Sequence, residues 1–143
     1  MLGRIEDCLR MRRDVYSGCV KHHGEEQVDT LRAANNYAKS LIDTLRFTEA
    51  KNLLRKKRPV ARRSLGENDE TTLRMRWYYA VALYMEPGAA LDDLRETATT
   101  LEELEPYARR VLGGAHPLAE GIEQCLGEAR AALNAREPPP RGA

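Results

Sequence analysis

The sequence predicts an all-α fold: an open stack of antiparallel helix-turn-helix repeats, about six helices in all. Three observations carry that expectation. Thr30, Leu31, Arg32, Tyr37, Ala38 and Leu41 return 42 positions later as Thr72, Leu73, Arg74, Tyr79, Ala80 and Leu83. A second offset, of 47, carries Pro59-Val-Ala-Arg-Arg-Ser-Leu-Gly66 onto Pro106-Tyr-Ala-Arg-Arg-Val-Leu-Gly113. Periods of this size mark a solenoid, in which no single unit can bury its apolar face alone. The third observation is composition. Leu, Ala, Arg and Glu dominate, Val and Ile are few, and there is one Phe and one Trp, a bias that suits helices and starves strands.

Taken in order, a first helix is expected from about Leu2 to His22, with Ile5, Cys8, Leu9, Val15, Tyr16, Cys19 and Val20 on one face. Gly24 ends it. Asp29 or Thr30 caps a second helix with the stripe Leu31, Ala34, Tyr37, Ala38, Leu41, Ile42 and Leu45. Thr48 and Glu49 open a third, striped by Ala50, Leu53, Leu54, Ala61 and Leu65. Pro59 falls inside it, and the apolar period resumes beyond, so a kink is expected rather than a break. A fourth helix runs from about Thr71 to Met85, with Leu73, Trp77, Ala80, Leu83 and Tyr84 inward. The crossing from Met85 to Asp93, with its Pro87-Gly88 turn, is five residues longer than its counterpart and accounts for 47 against 42. A fifth helix follows from about Leu94 to Leu112, and a sixth from Pro117 to Ala135. These elements define a single domain over 1–136, with repeats at about 28–66 and 70–113, flanked by half repeats at 2–23 and 117–135. The proline-rich tail, 137–143, is expected to be disordered.

Bulk properties narrow the function classes. The chain of 143 residues is 42% hydrophobic and 31% charged, with a net charge of +1. That balance argues against a dedicated nucleic-acid binder. No apolar run is long enough to span a bilayer, and the N-terminus has no signal-peptide h-region. Three cysteines at irregular spacing fit a reduced compartment, so a cytoplasmic location is expected, with the nucleus as a second option. There is no G-x-S-x-G, no glycine-rich phosphate loop and no H-E-x-x-H, and Glu102, Glu103 and Glu105 are neighbours in a surface run. An enzyme is not expected, nor is a cofactor. Cys19, His22 and His23 offer C-x-x-H-H, but a closed zinc site needs four ligands and Cys19 continues an apolar stripe. No metal is expected.

Two surfaces stand out as candidates. Asn35, Asn36 and Lys39 on the second helix offer two amides and a cation to a peptide main chain. The 42-residue offset sets Trp77, Tyr78 and Val81 beside them on the fourth. Adjacent helical residues lie about 100° apart, so Trp77 and Tyr78 cannot both face one way. Trp77, in line with Leu73, Ala80 and Tyr84, is expected in the core, and Tyr78 in the groove. The other surface is basic: 46–63 holds eight cationic residues against one acidic, with Arg55, Lys56, Lys57, Arg58 and Arg62 in its second half. This run resembles a nuclear-import signal or a phosphate-binding strip. Its plainer reading is a solvated outer face, stacked against the acidic stretch 85–105, which carries seven acidic residues and one basic.

The link L-G-x-x-H-P-x-T-L followed by an N-N-x-A helix has a familiar counterpart. Leu112, Gly113, His116 and Pro117 match its first half; Leu65, Gly66, Thr72 and Leu73 match both ends; Asn35, Asn36 and Ala38 match the helix. From about Cys8 to Arg136 the chain resembles the 42-residue tetratricopeptide repeats of the kinesin light chain type. Gln27-Val28 and Asp69-Glu70 stand where that family has His-Pro. The resemblance implies a protein-interaction module that binds a peptide on the concave face of its A helices. It also implies that Asn36 is the backbone-binding asparagine, with Tyr78 and Cys125 at the equivalent places and a more aromatic groove. The expected partner is therefore a protein or peptide, not a membrane, and open repeat ends leave room for oligomerisation. The alternatives are a nucleic-acid or nuclear-transport role through 46–63, and a structural piece of a longer array.

Overall fold

In a computed structural model the described residues are 2–136. They form six α-helices and, among the described residues, no strand: α1 (Leu2–His23), α2 (Val28–Asp43), α3 (Phe47–Leu65), α4 (Glu70–Met85), α5 (Leu91–Leu112) and α6 (Pro117–Arg136). The proline-rich tail lies outside the described residues.

Three of the links share one construction. α1, α3 and α5 end at Gly24, Gly66 and Gly113, whose φ angles of 83°, 89° and 92° suit a residue without Cβ. Each glycine N–H donates to the carbonyl four residues back, on Val20, Arg62 and Arg109. The chain then starts the next helix after four residues each time, at Val28, Glu70 and Pro117. Asp69 accepts a hydrogen bond from Thr71 N at 2.8 Å, and His116 Nδ1 accepts one from Leu118 N at 3.1 Å. Side-chain acceptors thus satisfy backbone donors that a helix start leaves free.

The α2–α3 link is different. Arg46 N donates to Leu41 O and Leu45 N to Ile42 O, a Schellman turn with Leu45 in the position glycine normally fills. Leu45 has a φ of 64° and is 70% exposed. A left-handed conformation costs an L-residue about 1–2 kcal/mol, and this side chain recovers little by burial. Leu45→Gly is expected to raise stability by up to ~1 kcal/mol, read as an upward shift in the denaturation midpoint.

The longer second crossing is built otherwise than the spacing suggests. The link is only 86–90, and α5 begins at Leu91 rather than near Leu94. α5 is 22 residues long against 19 for α3, so most of the insertion extends the helix. Asp93 accepts from Ala90 N at 3.3 Å, which lets the helix start a turn early. Both α3 and α5 run unbroken past Pro59 and Pro106.

Each helix packs on its chain neighbours, and α2 and α6 also pack on α4. Links this short between adjacent helices make them antiparallel. α4 therefore touches four helices, and its buried residues lie on more than one face, as that central place requires. One side gives Met75, Tyr78, Tyr79, Ala82 and Leu83 to a core with α1–α3. The other gives Leu73 and Ala80 to a core with α5 and α6. Ala38, Ala50, Ala61, Ala80 and Ala108 are fully buried, which allows close approach of the helices. The stripe expected on α1 is only partly buried: Ile5 and Val15 are 43% and 51% exposed, because α1 packs chiefly on α2.

Candidate interaction surfaces

Where α2 meets α4, Asn35 is 2% exposed and its Nδ2 donates to Thr71 O at 3.0 Å. It ties the two helices together, and its buried Oδ1 has no partner. Asn36 is exposed at a cleft of about 520 Å³ that Arg32, Glu70 and Arg74 also line. Lys39 is exposed and paired with Asp43 at 3.0 Å. Arg74 is held by Glu70 at 2.8 Å. Burial works against the Arg74 charge, and Tyr78 and Glu70 outweigh it, leaving its pKa above arginine's ordinary value. Val81 is partly buried against the first core.

Tyr78, expected in the groove, lies in the core instead, and Trp77 is less buried than expected. Tyr78 is 7% exposed and belongs to the first core, whereas Trp77 is half-buried and touches both cores. The reason is α4's central place. Tyr78 lies in the core that α4 shares with α1–α3, and Trp77 projects towards α6, where Gly121 leaves it room. Arg32 and Arg74 were not singled out from the sequence. They occupy one repeat position, 42 residues apart, and the repeat itself was the available signal.

Trp77 Nε1 donates to Cys125 Sγ at 3.2 Å, and Tyr84 OH donates to Glu128 Oε2 at 2.6 Å. Burial pushes the Cys125 thiol above its ordinary pKa, and burial followed by the Glu128 hydrogen bond raises Tyr84 as well. Both groups hold their protons more tightly folded than unfolded. Their contribution is thus intact below the unfolded values, ~8.5 for a thiol and ~10 for a phenol. It is lost as pH rises from there through the raised folded values. A stability profile that falls above pH ~9, less steeply in Tyr84→Phe, is the expected result.

The basic run does not present one face. Arg55 and Lys56 are exposed, with an Arg55 nitrogen 3.4 Å from Tyr79 OH. Lys57 is 6% exposed, pairs with Glu25 at 3.3 Å and lies over the Tyr16 ring. Burial opposes its charge, but Tyr16 and Glu25 more than compensate and raise its pKa. Arg58 is half-buried, its guanidinium 3.7 Å from the Tyr79 ring centroid, and burial lowers its pKa. Arg62 pairs with Glu67 at 2.7 Å. Nor does α3 stack on the acidic α5, since α4 lies between them. Its carboxylate partners come mainly from the links: Glu25, Glu26, Glu67 and, for Lys51, Glu86.

Among the described residues no group of three His, Cys, Asp or Glu side chains is arranged to hold a metal ion, and no helix is long and apolar enough to cross a membrane. All three cysteines are free thiols. A scan against family models and a search of curated proteins gave no match to this chain.

Proposed function

We propose that this chain is a tetratricopeptide-type solenoid acting as a non-enzymatic, cytoplasmic protein-interaction module. In this reading α2, α4 and α6 are the A helices of successive repeats, and a peptide segment of the partner lies along them. The observation that carries it is the α2–α4 cleft of about 520 Å³, where Arg32, Asn36 and Arg74 offer hydrogen-bonding groups at one repeat step. The direct packing of α2 on α4 and of α4 on α6, and the shared construction of the three glycine-ended links, support the solenoid part. Asn36 offers a donor and an acceptor to a main chain, while Arg32 and Arg74 take carbonyls or carboxylates. Asn35 serves this surface from beneath, tying α2 to α4.

The test is a pulldown from the native cell followed by affinity measurements on the captured partner. Asn36→Ala and Arg74→Ala are expected each to weaken binding by ~1–2 kcal/mol, with helicity and melting unchanged. Normal binding by both variants, with loss in an Arg55/Lys56 double alanine, would reject the α2–α4 surface in favour of the α3 strip. A captured nucleic acid released by modest salt would support the charge-driven alternative.

A further inference from the structure

A second cleft runs between the distal halves of α3 and α5, with α4 as its floor. It shares no lining residue with the α2–α4 cleft and has two connected chambers, about 370 and 470 Å³. Arg62, Glu67, Arg76 and Glu103 line both chambers; Arg58 stands in one and Arg110 in the other. The shared middle is balanced, with Arg62 on Glu67 at 2.7 Å and Arg76 on Glu103 at 3.8 Å. The ends are not. Arg58 and Arg110 have no carboxylate within ion-pair distance, and each lies against a tyrosine ring, Tyr79 at 3.7 Å and Tyr107 at 4.9 Å. The Arg58 head is partly desolvated, and its buried Nε has no acceptor. A guanidinium held over a ring keeps its fork oriented and loses little freedom when an anion arrives. The prolines Pro59 and Pro106, 47 residues apart, form part of the two chamber walls and leave them without a long side chain at those points.

We propose that this cleft docks an extended peptide with acidic side chains at both ends of the bound stretch and an uncharged middle. The charge order of the cleft, positive, balanced, positive, complements that pattern. It disfavours a nucleic-acid strand, whose evenly spaced phosphates would meet Glu67 and Glu103 in the middle. The paired carboxylates instead accept main-chain N–H groups of the peptide.

The test uses fluorescence anisotropy with labelled peptides carrying glutamates at both ends of neutral spacers of graded length. The comparison probes are a peptide with the same glutamates in one block and a single-stranded oligonucleotide of matched charge. The end-charged peptide of best spacer length is expected to bind tightest. Arg110→Gln and Arg58→Gln should each weaken it roughly tenfold. Arg110 is exposed, so its variant keeps the fold even where Arg58→Gln loosens it. Glu103→Gln should narrow the preference for the end-charged peptide over the block peptide and the oligonucleotide. Equal binding by wild type and Arg110→Gln overturns the proposal, as does failure of every peptide to bind. Tighter, arginine-dependent binding of the oligonucleotide overturns it in favour of a nucleic-acid site. None of these outcomes bears on the α2–α4 cleft, whose residues are untouched.

Discussion

Leu73→Ala is expected to lower the unfolding free energy by ~2–5 kcal/mol, the largest effect anticipated for a single substitution here. Leu73 is fully buried, in the core that α4 shares with α5 and α6. Removing its isobutyl group costs the transfer free energy of the lost carbons and leaves a cavity. Leu101, Leu104, Leu118 and Ile122, each fully buried in the same cluster, are already packed and can fill it only in part. The measurement is chemical denaturation followed by fluorescence. Trp77 is the only tryptophan and touches both cores, so it reports on the joint between them. A denaturation midpoint within error of wild type would mean that α4 does not pack on α5 and α6 as described.

Gly121→Ala is expected to cost ~1–3 kcal/mol, although alanine is the better helix former by nearly 1 kcal/mol. A Cβ at this position would lie 2.7 and 2.8 Å from two atoms of the Trp77 ring. The ring cannot simply swing aside. Its Nε1 is bonded to Cys125 Sγ, and its centroid sits 5.3 Å from that of Tyr78. Relief has to come from α6 moving away from α4, which opens the second core. Because the clash is with one side chain, Trp77→Leu should remove most of the penalty of Gly121→Ala. A double-mutant cycle is therefore expected to show a coupling of ~1 kcal/mol or more. Additive effects would place the glycine's role elsewhere than in clearance for Trp77.

The six helices were legible because their signals are local. Apolar side chains at three- and four-residue spacing define a buried face wherever the helix later docks. Glycine at 24, 66 and 113 ends a helix through its own backbone freedom. The internal repeat likewise marks Arg32 and Arg74 as equivalent positions. The start of α5 was misjudged by three residues because the early turn is stabilised by Asp93 acting on Ala90, a cap that sits inside what read as loop.

What the sequence could not determine is which of two adjacent residues points inward when a helix is covered on several sides. Periodicity assigns an inward face to a helix with one covered side, and α4 has neighbours almost all round, so Trp77 and Tyr78 both find cover. Their division of roles was decided in space, by the core of α1–α3 around Tyr78 and by a glycine on α6, 44 positions from Trp77. The same holds for the basic run. Its eight cations were plain in the sequence, but which of them turn inward and which carboxylates they meet depends on where the links return. Lys57 pairs with Glu25 across the α1–α2 link and Arg58 lies on Tyr79, which leaves Arg55 and Lys56 exposed. Charge along a chain is a local property, whereas the partner of each charge is set by the packing of helices distant in sequence.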